Sequence, residues 1–120
     1  MRLVLLIATA LALALAPPAS AASFTAHLHA HDHAPKVNQP WPITVTATRG
    51  KTKLSGSVKY QFLFQGQVVS RQPGGKFRHG VYRDKLTFPG ESVGYKLTLR
   101  VLVTTKYGTE HLDWSVKVHK

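Results

Sequence analysis

Cysteine is absent from the chain, so neither a disulfide framework nor a thiolate nucleophile or metal ligand is open to it. The only methionine is Met1, which removes the soft sulfur ligands that Cu(I) prefers. Carboxylates are scarce: Asp32, Asp84, Glu91, Glu110 and Asp113 are the whole set, and no strand carries them as an acid/base pair. No segment is read as a nucleophile elbow or a phosphate-cradling glycine loop. These absences leave no catalytic constellation, and the chain is read as a non-enzyme.

Long apolar runs are confined to the start. Arg2 precedes an apolar stretch at residues 3–16, and Pro17-Pro18-Ala19-Ser20-Ala21-Ala22 follows with small residues where a signal peptidase reads. A membrane anchor needs about 18 or more uninterrupted apolar residues, and the proline pair closes the run too early. The pattern predicts a signal peptide at residues 1–22, cut after Ala21 or Ala22, and one domain at residues 23–120. The product is secreted or extracytoplasmic, in the cell envelope or periplasm, with no membrane-spanning segment after cleavage. A domain of this length buries roughly 60 to 65% of its unfolded surface, and without disulfides it depends on an ordinary packed core.

Charge of one sign dominates. Without Arg2, fifteen Lys and Arg face the five carboxylates, a net of +10. That excess favours anionic partners, and the partner is read as an anionic cell-envelope polymer or another envelope protein, with no motif for specific nucleic-acid recognition.

What the chain has in quantity is alternation. Residues 95–104 place Tyr95, Leu97, Leu99, Val101 and Val103 on one face, and residues 109–118 do the same with Leu112, Trp114, Val116 and Val118. The four residues between them suit a hairpin loop. A two-stranded hairpin is marginal alone, so the rest of the chain must cover its apolar face. Earlier strands are predicted at residues 24–33 (A), 43–48 (B), 58–64 (C), 67–71 (C′) and 82–88 (E), with the terminal pair as F and G. Gln65-Gly66 reads as a two-residue turn, and residues 72–80, with Pro73 and Gly74-Gly75, read as a loop. Trp41, between Pro40 and Pro42, reads as a loop anchor on the sandwich edge. Asp84 is an exception on the inward face of its strand. Seven short strands and no amphipathic helix predict an all-β, seven-stranded immunoglobulin-like β-sandwich with sheets ABE and CC′FG.

The run Pro35-Lys36-Val37-Asn38-Gln39-Pro40-Trp41-Pro42-Ile43-Thr44-Val45-Thr46, followed by Val58-Lys59-Tyr60-Gln61-Phe62-Leu63-Phe64 and Gly66, resembles bacterial exported immunoglobulin-like or fibronectin-III-like domains, including the YtkA-like group. The resemblance covers nearly all of residues 23–120. It implies a binding or spacer module and carries over no catalytic residue.

Two constellations could carry function. His27, His29, His31 and His33 alternate along strand A, where neighbours two apart project to one side about 6.6 Å from each other. Neutral imidazoles suit Cu(II), Ni(II) or Zn(II), so the row is a candidate metal site; it also reads as the solvated face of an edge strand, or as a pH-responsive surface charging around pH 6. The second constellation is basic. In the predicted order the loops B to C, C′ to E and F to G gather at one end and bring Arg49, Lys51, Lys53, Arg71, Lys76, Arg78 and Lys106 together, with His79 and Tyr107, while the opposite end has Lys36 and Glu91. The sequence therefore supports an exported non-enzymatic binding or interaction module with a basic loop end for anionic envelope polymers. A transition-metal-binding protein is the alternative and a structural spacer the fallback.

Overall fold

The computed structural model describes residues 23–120. The predicted signal peptide and its predicted cleavage site fall at residues 1–22, outside the described residues. The domain is all-β, with two antiparallel four-stranded sheets packed face to face.

Strand β2 (Trp41–Arg49) is the centre of the first sheet. Trp41, Ile43, Val45 and Ala47 alternate inward and are buried, while Thr44, Thr46 and Thr48 sit on the outer side. β1 (Thr25–Ala30) pairs along one side, Ala30 opposite Ile43. The other side takes β6 (Val81–Leu86) and, past its end, the two-residue β3 (Thr52–Lys53). The second sheet is ordered β5-β4-β7-β8, from β5 (Gln67–Phe77), β4 (Gly56–Phe64), β7 (Lys96–Thr105) and β8 (Gly108–Lys117). Val58, Tyr60 and Phe62 of β4 and Leu99, Val101 and Val103 of β7 supply its buried face. The count is eight strands among the described residues, against seven predicted, because β3 forms within the basic turn.

Residues 72–77 are not a loop: β5 runs through Pro73 and Gly74-Gly75 to Phe77. As an edge strand it tolerates a proline that donates nothing to the ladder. Its register slips between the pairs Lys59 with Pro73 and Val58 with Gly75, leaving Gly74 as a bulge. A Cβ on Gly74 would run into the Val58 carbonyl oxygen, so the bulge requires glycine. The Gln65-Gly66 turn forms as read, with φ of 51° and 81°, the signs a two-residue hairpin needs.

Predicted strand A is also corrected. β1 stops at Ala30, after which the chain leaves the first sheet and runs parallel to the end of β8. Lys117 N donates to His33 O at 2.9 Å, His119 N to Pro35 O at 3.0 Å and Val37 N to His119 O at 2.8 Å. Asp32 sits at the crossing, its carboxylate accepting Ala34 N–H at 3.0 Å. Trp41 is not a loop anchor: it opens β2, is 2% exposed and meets the Phe88 ring edge-on at 5.5 Å. Tyr95 lies outside β7 and is 51% exposed. Asp84, the odd inward residue, accepts the Tyr60 hydroxyl at 2.7 Å and the Tyr82 hydroxyl at 3.3 Å, which ties β6 to β4 across the core. Among the described residues no helix is long and apolar enough to cross a membrane.

Candidate functional site

Antiparallel pairing places Arg49, Gly56, Phe77, Val81, Thr105 and Gly108, each at a strand terminus, at one end of the sandwich. The loops there lock onto one another through the backbone. Leu54 N donates to Ala47 O at 3.1 Å, Ala47 N to Gly80 O at 3.0 Å and Gly80 N to Leu54 O at 2.7 Å. Gly80 has φ of 75°, and a Cβ on it would lie 3.0 Å from the Lys53 Cβ, so glycine lets the two basic loops approach. The third loop joins through Tyr107: the Arg49 guanidinium lies 4.2 Å from its ring centroid and the Lys106 ammonium 5.4 Å. Arg49, foremost, and Lys106 hold the Tyr107 hydroxyl below its ordinary pKa.

The structure thus brings Arg49, Lys51, Lys53, Lys76, Arg78 and Lys106 to one end, all exposed and none in an ion pair with a described carboxylate. Arg71 is the exception: it stands opposite Gln61, mid-way along β5, because the predicted loop is strand. The opposite end is more basic than the pair Lys36 and Glu91 predicts, for Lys96 and Lys117 face each other there and Lys85 stands opposite Pro42. Arg100 is neutralised by Asp113 through two hydrogen bonds of 2.8 and 3.0 Å.

The four histidines do not form a row. His27 and His29 stay on the outer side of β1, but the turn at Ala30 carries His31 and His33 away from that strand. His31 lies 3.8 Å from the Asp32 carboxylate. His33 stacks on Trp114, 4.4 Å between centroids and 5° from parallel, and its Nδ1 donates to the Ser115 carbonyl at 2.7 Å. The Ser115 hydroxyl lies 3.2 Å from the same nitrogen, so β8 holds the ring in place. His29 meets the same indole edge-on at 6.2 Å. Among the described residues no three His, Cys, Asp or Glu side chains are placed to hold one metal ion.

A third feature was not legible in the sequence. An open pocket of about 380 Å³ lies between the inner face of β4 and β5 and residues 87–97, walled by Phe62, Phe64, Val69, Phe88 and Tyr95 with Glu91 at its margin. Its signal was the inward parity of Phe64, which has no strand across from it. Ser92 also lines it, and Gly90-Glu91-Ser92-Val93-Gly94 spells Gly-x-Ser-x-Gly, a match the reading of the chain as free of nucleophile elbows passed over. The required strand–turn–helix context is missing: Ser92 closes a 3₁₀ turn that leads to a strand, and its hydroxyl donates to Pro89 O at 2.6 Å.

No protein-family model matches the sequence, and a comparison with curated proteins finds none that matches it.

Proposed function

We propose that the chain is an exported, non-enzymatic binding module of immunoglobulin-like sandwich type, akin to the YtkA-like group, whose loop end engages an anionic polymer of the cell envelope. The observation that carries this reading is the convergence of Arg49 and Lys106 on Tyr107, beside loops that Gly80 fastens together. Cations held by a rigid scaffold lose little conformational freedom on binding, and none of the six must first give up a carboxylate partner. Phosphate or carboxylate groups spaced along a polymer would meet several of them at once. Arg71 is left out of this site because of its place in mid-strand.

The test is retention on immobilised heparin or teichoic acid. Lys51→Glu/Lys53→Glu/Arg78→Glu should elute at clearly lower salt than Lys59→Glu/Lys96→Glu/Lys117→Glu, which changes net charge equally on the strands. Equal losses in the two variants would mean that net charge alone governs retention and that the loop end has no special role.

A further inference from the structure

The pocket beside Glu91 has a chemistry opposite to that of the rest of the molecule. The second sheet has four full strands, but only β1, β2 and β6 lie across from it along most of its length. β6 stops at Leu86, and residues 87–95 cover the remainder incompletely. The inner face at the junction of β4 and β5 is therefore left open to solvent, with Val69 58% and Tyr95 51% exposed at its rim.

Four aromatic rings surround this space. Phe62 and Phe88 form a buried floor, edge-to-face at 5.6 Å, and Phe64 and Tyr95 form a wall, edge-to-face at 5.5 Å. Among the described residues the only charged one lining it is Glu91, which is exposed and makes no ion pair with a described residue. In a chain with 16 Lys and Arg against five carboxylates, a charged residue placed without constraint would be a base three times in four. Here no described Lys or Arg lines the pocket. Aromatic faces carry negative potential and attract cations, best when the cation is bulky and weakly hydrated. A carboxylate at the mouth adds to the same field.

We propose that this pocket binds a small organic cation, a quaternary ammonium group above all, with the alkyl surface against Phe62, Phe64, Phe88 and Tyr95 and the charge facing Glu91. The site lies at the end of the sandwich opposite the basic loops, so it does not depend on the polymer-binding reading. Choline and 3,3-dimethyl-1-butanol differ only in nitrogen against carbon and serve as probes in two-dimensional NMR titrations of the domain. Choline should shift the Phe64 and Tyr95 ring resonances and the Glu91 amide saturably, at least about fivefold more tightly than the alcohol. Glu91→Gln and Tyr95→Ala should each weaken choline binding, and Lys51→Glu/Lys53→Glu/Arg78→Glu should leave it unchanged. Both pocket residues are exposed, so these variants should retain the wild-type spectrum elsewhere. Equal affinity for the two probes, no saturable shift at these residues, or choline binding that survives both pocket substitutions would overturn the proposal.

Discussion

The Asp32 carboxylate accepts the indole N–H of Trp41 at 2.9 Å. The carbonyl of Asp32 accepts the indole N–H of Trp114, also at 2.9 Å, so both tryptophans of the chain end on one residue. Trp41 belongs to the central strand of the first sheet and Trp114 to the edge strand of the second, and Asp32 stands where the backbone crosses between them.

Asp32→Ala should therefore cost about 1–3 kcal/mol in urea unfolding, since it strips the acceptor from a buried indole. Asp32→Asn keeps an oxygen for Trp41 and should cost less. The Trp41 N–H first, then the Ala34 N–H and the His31 and His119 charges, hold the Asp32 pKa below its ordinary 3.8. A lowered folded-state pKa gives stability that is present above 3.8 and lost as pH falls through the folded value. The side chain is 48% exposed, so solvent screening keeps this contribution small. An acid limb that is the same in wild type and Asp32→Asn would remove Asp32 from the account.

The two-sheet grouping is readable from the order of the strands along the chain, and the buried face of each strand from its alternation. The rows Ile43, Val45, Ala47 and Leu99, Val101, Val103 are inward in both the sequence and the structure. Four tertiary effects are not readable. Pro73 and Gly74-Gly75 look like a loop but are tolerated in β5 because it is an edge strand with a bulge. The period-two pattern runs on through His33 although the backbone changes sheets after Ala30, since alternation says nothing about which partner a strand keeps. Strand direction locates the loop end, but Arg71 lies away from it because β5 continues through residues 71–77. The aromatic pocket depends on where β6 stops relative to β5, a relation between distant segments that the inward parity of Phe64 does not by itself record.

Tyr60 supplies an alkaline counterpart. It is 2% exposed, and burial first, then its hydrogen bond to Asp84, push its pKa far above the ordinary 10.0. A raised folded-state pKa gives stability that is complete below the unfolded value and is lost as pH rises from 10.0 toward the folded one. Tyr82 is shifted in the same direction, chiefly by burial. Tyr60→Phe should be about 1–2 kcal/mol less stable than wild type at neutral pH, from the lost bond to Asp84. Above pH 10 its stability should fall less steeply. Parallel curves across the alkaline range would show that another group governs this limb.

The last expectation concerns copper. His29 and His33 touch the same Trp114 indole, at 6.2 and 4.4 Å between centroids, and His27 shares the outer side of β1 with His29. No three ligating side chains are gathered on one point among the described residues, and His29 and His33 each lie against the Trp114 ring. Two-imidazole sites bind Cu(II) far more weakly than closed three- or four-ligand ones. Added Cu(II) should therefore quench Trp114 only at concentrations well above the micromolar range. His29→Ala should abolish the quenching, while His31→Ala, whose partner is Asp32, should leave it unchanged. Tight quenching that needs His31 would mean that residues 31–33 leave β8 to rebuild the alternating row. In that case protection of the Lys117 amide, which donates to His33 O, should fall on metal addition, and hydrogen exchange at that amide separates the two outcomes.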